Sequence, residues 1–139
     1  MTEILIDTGP ILAALNRQDK HHLFAVETMR QYNQPFLTTV AVMTEAMYLT
    51  QQRLGWYAAE KLLEIVNRGD IIVQHIGLAD FQRISVLMKK YLDLPMDFAD
   101  ATLVALAERL EYKRIFTTDI RDFHVYRYKD QMAFDVICP

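Results

Sequence analysis

The sequence has 139 residues, with 15 lysines and arginines against 18 aspartates and glutamates, a formal net charge of −3 and one cysteine, Cys138. That length suits one domain and buries a core without a disulfide framework or a structural metal, while the acidic balance excludes a protein that coats nucleic acid by bulk charge. No apolar run approaches a membrane span, the segment Met1 to Asp7 is too short and acidic for a signal peptide, and a lone cysteine fits the reducing cytoplasm, the expected compartment.

Taken in chain order, short apolar runs alternate with helical periodicity. Glu3-Ile4-Leu5-Ile6-Asp7 is an apolar strand that ends on a carboxylate, and Thr8-Gly9-Pro10 is a turn feeding a helix, Pro10 suiting its first position. Helices are expected from Ile11 to Asn16 and from His21 to Gln31, with Pro35-Phe36-Leu37-Thr38 as a second strand after them. Thr39 is placed to cap a helix from about Val40 to Arg53, Gly55 ends it, and Trp56 to Asn67 forms the next. Arg68-Gly69-Asp70 is a turn into a third strand, the β-branched run Ile71-Ile72-Val73-Gln74. A helix from Leu78 to Tyr91 carries Phe81, Ile84, Leu87 and Met88 on one face. After the loop Leu94-Pro95-Met96 come a helix from Phe98 to Leu110, a fourth strand Arg114-Ile115-Phe116-Thr117 and a fifth, Phe134-Asp135-Val136-Ile137. With no linker, repeat or low-complexity stretch, residues 1–139 read as a single α/β domain with a mainly parallel sheet covered on both faces. Ligands of such folds bind beyond the carboxyl ends of the strands, which is where chemistry is to be sought.

Carboxylates gather there. Asp7 stands where the first strand stops, and Asp119 just after the fourth, behind Thr117-Thr118. If those strands are neighbours, both open onto one edge; a turn or cap aspartate is the competing reading for each. Glu45 lies among Ala41, Val42, Tyr48 and Leu49 on the apolar face of its helix, where an unpaired carboxylate costs several kcal/mol to desolvate. Asp97 and Asp100, three residues apart, have the spacing of an N-cap and its capping-box partner, yet Asp100 shares the inward face of Leu103, Val104 and Ala107. Convergent carboxylates must protonate or recruit cations. An oxygen-only set suits Mg²⁺ or Mn²⁺, and no histidine or cysteine spacing suits zinc. Such an ion activates water and stabilises charge on a phosphate, which is the chemistry of phosphodiester hydrolysis.

These segments resemble the PIN-domain nucleases and, more narrowly, the VapC-like toxins of bacterial and archaeal toxin–antitoxin pairs. The match lies in Ile6-Asp7-Thr8, in Thr44-Glu45, in Asp97-Phe98-Ala99-Asp100-Ala101-Thr102-Leu103-Val104-Ala105, and in Phe116-Thr117-Thr118-Asp119 followed by Asp122-Phe123. Order, spacing and length agree over nearly the whole chain. The resemblance implies a three-layer α/β/α sandwich around a four- to five-stranded sheet, Mg²⁺ or Mn²⁺ dependence and endoribonuclease activity. It further implies a homodimer and, often, inhibition by a small antitoxin protein. The family's four acidic positions fall on Asp7, Glu45, Asp100 and Asp119, and its hydroxyl positions on Thr8 and Thr118. Asp97 competes with Asp100 as a ligand and Asp122 with Asp119. Asp100 is preferred for the family-like run after it, and Asp119 for its nearness to the strand end. On this reading Asp7, Asp100 and Asp119 hold the metal, Asp97 caps the helix and reaches the metal through water, and Glu45 binds the ion or polarises the attacking water.

A phosphotransfer receiver domain has similar layers but needs an aspartate ending the third strand, where this chain has Gln74-His75. An RNA-processing nuclease of the same fold and a non-catalytic RNA-binding module also compete with the toxin reading. Arg121, beside Asp119, is a candidate phosphate contact. Tyr48, Trp56, Tyr57 and Phe24 are candidates for base stacking or, more commonly, for core and interface packing. Met43, Met47 and Tyr48, with the helix after Gly55, are candidates for a dimer or antitoxin surface.

Overall fold

A computed structural model describes residues 3–139; Met1 and Thr2, at the head of the segment weighed above as a signal peptide, lie outside them. Strand β1 (Ile4–Ile6) is buried along its length, as a strand covered on both faces must be. It lies at the centre of a five-stranded sheet, with β2 (Phe36–Thr39) and β3 (Ile71–Gln74) on one side and β4 (Arg114–Phe116) on the other. The far edge beyond β4 is β7 (Asp135–Ile137). Every pairing in this sheet is parallel, with Ile4 opposite Arg114 and Ile6 opposite Phe116. The condition set for Asp7 and Asp119 is therefore met: the strands they follow are neighbours. Because the chain fills one side of β1 before crossing to the other, the strand order reverses between β1 and β4. That reversal opens a crevice at the carboxyl ends of these two strands.

The helices pack around the sheet in contact with one another. Helix α1 (Thr8–Leu15) lies against α2 (His22–Tyr32) and α3 (Val40–Leu54), α3 against α4 (Trp56–Asn67) and α6 (Phe98–Leu110), and α6 against α5 (Leu78–Lys90). This is the layered α/β sandwich expected from the sequence. Thr39 caps α3 by accepting from the Val42 N–H at 3.2 Å, and Gly55 closes it with a φ of 86° that side chains rarely adopt. Helix α6 is the central one, buried at every position from Ala99 to Ala107. Its alanines, at 99, 101, 105 and 107, let sheet and neighbouring helices approach closely.

Three local readings change. Helix α1 begins at Thr8, not Ile11, because the Asp7 carboxylate accepts from the Thr8 N–H at 2.8 Å and caps it. Pro10 still lies within the first turn, where a missing N–H costs nothing. Strand β4 stops at Phe116, and the edge strand starts at Asp135, with Phe134 packed into the core instead. Between them lie elements the periodicity does not announce: a four-residue helix α7 (Asp122–Val125) and a two-stranded antiparallel ribbon, β5 (Arg127–Tyr128) with β6 (Met132–Ala133). Arg83 ties this ribbon down. It binds both oxygens of Glu108 at 2.7 and 2.9 Å and Asp130 at 3.0 Å, and Lys90 meets the same Asp130 at 3.0 Å.

Among the described residues no helix is long and apolar enough to cross a membrane.

Candidate active site

The crevice between β1 and β4 is built from strand ends. Hydrogen bonding continues one residue past β1, where the Asp7 N–H donates to Phe116 O at 3.0 Å, so Asp7 is fixed at the edge itself. One Asp7 oxygen accepts from Thr8 N and the other from the Thr117 hydroxyl at 3.0 Å. Thr117 Oγ1 in turn accepts from Asp119 N at 3.0 Å, so one buried hydroxyl holds the ends of both central strands in register. The family resemblance singles out the hydroxyls of Thr8 and Thr118, not that of Thr117. Thr8 Oγ1 is buried with no hydrogen-bond partner among the described residues, and Thr118 Oγ1 lies against Gly9 so closely that a Cβ there would overlap it.

Asp97 and Asp100 arrive from the start of α6. Asp97 Oδ1 accepts from Asp100 N at 2.8 Å, which is the capping reading of that pair. Asp100 itself is 9% exposed, and its Oδ2 accepts from the Tyr126 hydroxyl at 2.8 Å. Capping and an inward-facing Asp100 coexist, as the helical spacing implies. Tyr126 is not foreseeable from the pattern: it follows α7, an element too short to leave a periodic signature.

Electrostatics tie these groups together. Burial pushes Asp7 up from the usual 3.8 to about 6, and the charges of Glu45 and Asp97 add to the rise. Burial pushes Asp100 up to about 8, with Asp7, Asp97 and Asp122 contributing. Each group named is a carboxylate of the same sign. Among the described residues no lysine, arginine or histidine forms an ion pair with Asp7, Glu45, Asp97 or Asp100. Glu45 and Asp97 also line one side of a groove of about 730 Å³, with Val40, Tyr48, Phe81 and Phe98.

Asp119 behaves differently. Its Oδ1 accepts from Arg121 N at 2.8 Å and Asp122 N at 3.1 Å, the turn and cap role weighed against ligation. Burial raises its proton affinity, but these backbone bonds and a shared hydrogen bond with Asp122 outweigh it and hold Asp119 low. Asp122, raised by burial and by that shared bond, is the member whose charge reaches Asp100. Arg121 is exposed and pairs with Asp122 at 3.2 Å.

The donor set fits a hard divalent cation by chemistry: oxygen donors only, excess negative charge, and no protein cation to offset it. Asp100 Oδ1 and Asp97 Oδ2 accept no hydrogen bond from the described residues. The described residues contain no ready-made cluster of three acidic, histidine or cysteine ligands. Like charges at this edge turn toward hydrogen-bond donors such as Thr8, Thr117 and Tyr126 rather than toward one another.

Of the aromatic candidates, Phe24 packs edge-on against Phe116 at 6.0 Å and belongs with the core, whereas Tyr48, Trp56 and Tyr57 are exposed. Met43 and Met47 are partly buried against the core.

A parallel sheet reversing at β1 and β4, with acidic groups at that reversal, defines a class, and comparison bears it out. The chain belongs to the PIN domain family, whose model matches residues 4–128. It is similar to ribonuclease VapC26 of Mycobacterium tuberculosis, 28% identical over 134 residues, which make up 96% of this chain and 99% of the relative. Among solved structures it resembles Mycobacterium tuberculosis VapC20, described as a Sarcin-Ricin loop cleaving toxin. That likeness has a TM-score of 0.75 at 20% identity over 81% of this chain and 86% of the other. It also resembles VapBC2 from Rickettsia felis bound to a promoter DNA fragment, with a TM-score of 0.65 at 14% identity over 97% of each chain.

Proposed function

We propose that the protein is a metal-dependent endoribonuclease of the VapC kind, the toxin of a toxin–antitoxin pair acting in the cytoplasm. The observation that carries this is the uncompensated set Asp7, Glu45, Asp97 and Asp100 at the β1–β4 crevice of a PIN fold. RNA as substrate is supported by the similarity to a ribonuclease along nearly the whole chain. A small antitoxin and a homodimer are the expected partners, with α3 and α4, where Tyr48, Trp56 and Tyr57 are exposed, as the surface for them.

Asp7 and Asp100 would hold Mg²⁺ or Mn²⁺, with Asp97 and Asp119 as further oxygen donors. Bound there, the ion supplies charge stabilisation on the attacked phosphate and lowers the pKa of water. Asp7 is kept in place by Thr8 N on one oxygen and the Thr117 hydroxyl on the other, and Asp100 by Tyr126, so the lone pairs these bonds leave open are fixed before substrate arrives. Glu45, half-buried at the rim of the groove and near enough to raise Asp7, is the base that takes the proton from the attacking water. Asp119 holds the turn into α7 through Arg121 N and Asp122 N, which sets Asp122 toward Asp100.

Total RNA incubated with the protein in Mg²⁺, Mn²⁺ or EDTA tests the reading. Discrete products with either ion, none in EDTA, and none from a folded Asp7→Asn variant are expected. Full metal-dependent activity in that variant overturns the assignment.

A further inference from the structure

We infer that Tyr126 is a positioning residue that commits one oxygen of Asp100, so that the site takes a small octahedral cation in preference to a larger one. The inference rests on the metal reading above.

Tyr126 is fully buried and cannot swing away. Its ring meets Tyr91 edge-on at 5.0 Å and Phe123 at 5.1 Å, and the next residue, Arg127, donates its N–H to the Tyr91 hydroxyl at 2.8 Å. The ribbon that follows is tied to α5 and α6 through Arg83, Lys90, Glu108 and Asp130. Glu108 also accepts from the Lys129 N–H at 2.7 Å. The phenol hydroxyl is thereby held against Asp100 Oδ2 at 2.8 Å. Asp100 is equally constrained, standing in the first turn of α6 with its own N–H bound to Asp97.

A carboxylate with two open oxygens can chelate. Chelation suits Ca²⁺, which accepts six to eight oxygens in flexible geometry, whereas Mg²⁺ demands a near-ideal octahedron of single oxygens. With one lone pair of Oδ2 given to a rigid donor, Oδ2 is the weaker ligand of the two, and Asp100 favours binding through Oδ1 alone over chelation. Tyr126 therefore acts on the choice of cation through Asp100, without touching substrate. If the hydroxyl merely satisfies a buried phenol, removing it costs stability and leaves ion preference unaltered.

The Tyr126→Phe variant keeps the ring and its packing and loses only the hydroxyl. Calorimetric titration of the wild type and this variant with Mg²⁺, Mn²⁺ and Ca²⁺, beside thermal melts, separates the two accounts. The expected result is a shift of the Ca²⁺-to-Mg²⁺ affinity ratio toward Ca²⁺ by about tenfold, the scale of one hydrogen bond to a charged group. An unchanged ratio in a variant that still binds overturns the inference and leaves the nuclease reading intact. A wild type that binds none of the three ions overturns both. In the unaltered protein, the ζ-carbon resonance of Tyr126, followed by NMR, should keep its hydrogen-bonded position when Mg²⁺ saturates the site. Movement to a free-phenol position would show that the ion takes Oδ2, and that also overturns the inference.

Discussion

Replacing Asp100 by Asn should stabilise the protein while destroying its activity. The variant keeps an acceptor of the same shape for the Tyr126 hydroxyl and removes only the charge. Burial and neighbouring carboxylates raise Asp100 from 3.8 to about 8 in the folded chain. Between those values the unfolded chain has released the proton and the folded chain has kept it. The folded state then binds more protons, so stability falls as pH rises, and the loss is complete above about pH 8. From pH 5 to pH 8 this spans about three decades at roughly 1.4 kcal/mol each, a ceiling of about 4 kcal/mol. Part of the rise is repulsion shared with Asp7, so about 2 kcal/mol is the working figure. Urea denaturation in EDTA at each pH measures it: Asp100→Asn should gain on the wild type by that amount between pH 5 and pH 8. Groups elsewhere titrate alike in both proteins and cancel in the difference. Saturating Mg²⁺ should restore the wild type, since binding to the folded state alone stabilises it, and should do far less for the variant. Stability curves that run parallel across this range would refute the electrostatic account of the site.

Thr117→Val removes the one hydroxyl that serves both Asp7 Oδ2 and Asp119 N while keeping a β-branched side chain at the strand end. It should cost about 1–3 kcal/mol in denaturant unfolding and lower cleavage with the fold intact; unchanged stability and activity would remove Thr117 from the site. Gly9→Ala places a methyl group onto Thr118 Oγ1 at the mouth of the crevice. The overlap should cost about 1–3 kcal/mol, read as a lowered melting temperature, and a neutral effect would show that the β4 loop yields freely.

Much of this fold is legible because its signals are local and strong. Ile4-Leu5-Ile6 and Ile71-Ile72-Val73 are short apolar runs with room for no other reading, and Thr39 and Gly55 punctuate α3 by their own backbone chemistry. Asp7 and Asp100 are legible for a related reason: a carboxylate at a strand end or on an inward helical face stands out against its neighbours. The region after β4 is different. Helix α7 has only four residues and the ribbon strands two each, shorter than any period they might display. Asp119 and Asp122 both suit a turn, and only tertiary structure shows that the first caps while the charge of the second reaches Asp100. Tyr126 and Thr117 carry no signal, since a tyrosine or threonine announces its partner only when the chain has folded.

The region least legible in sequence is the one that orients the candidate site. Asp7 and Asp100 come from elements that any parallel sheet with a buried helix would form. Left to themselves, their charges would only destabilise the folded state. Thr117 and Tyr126 give those charges a fixed orientation, each by a hydrogen bond from a rigid donor, and the turn through Asp119 steadies Thr117 by donating its N–H to that hydroxyl. Because the donors are neutral, they orient the carboxylates without cancelling their charge, and the attraction for a cation survives folding. The bonding of the C-terminal ribbon to α5 and α6 is thus part of the candidate site, because it holds Tyr126, and through it Asp100, in one position.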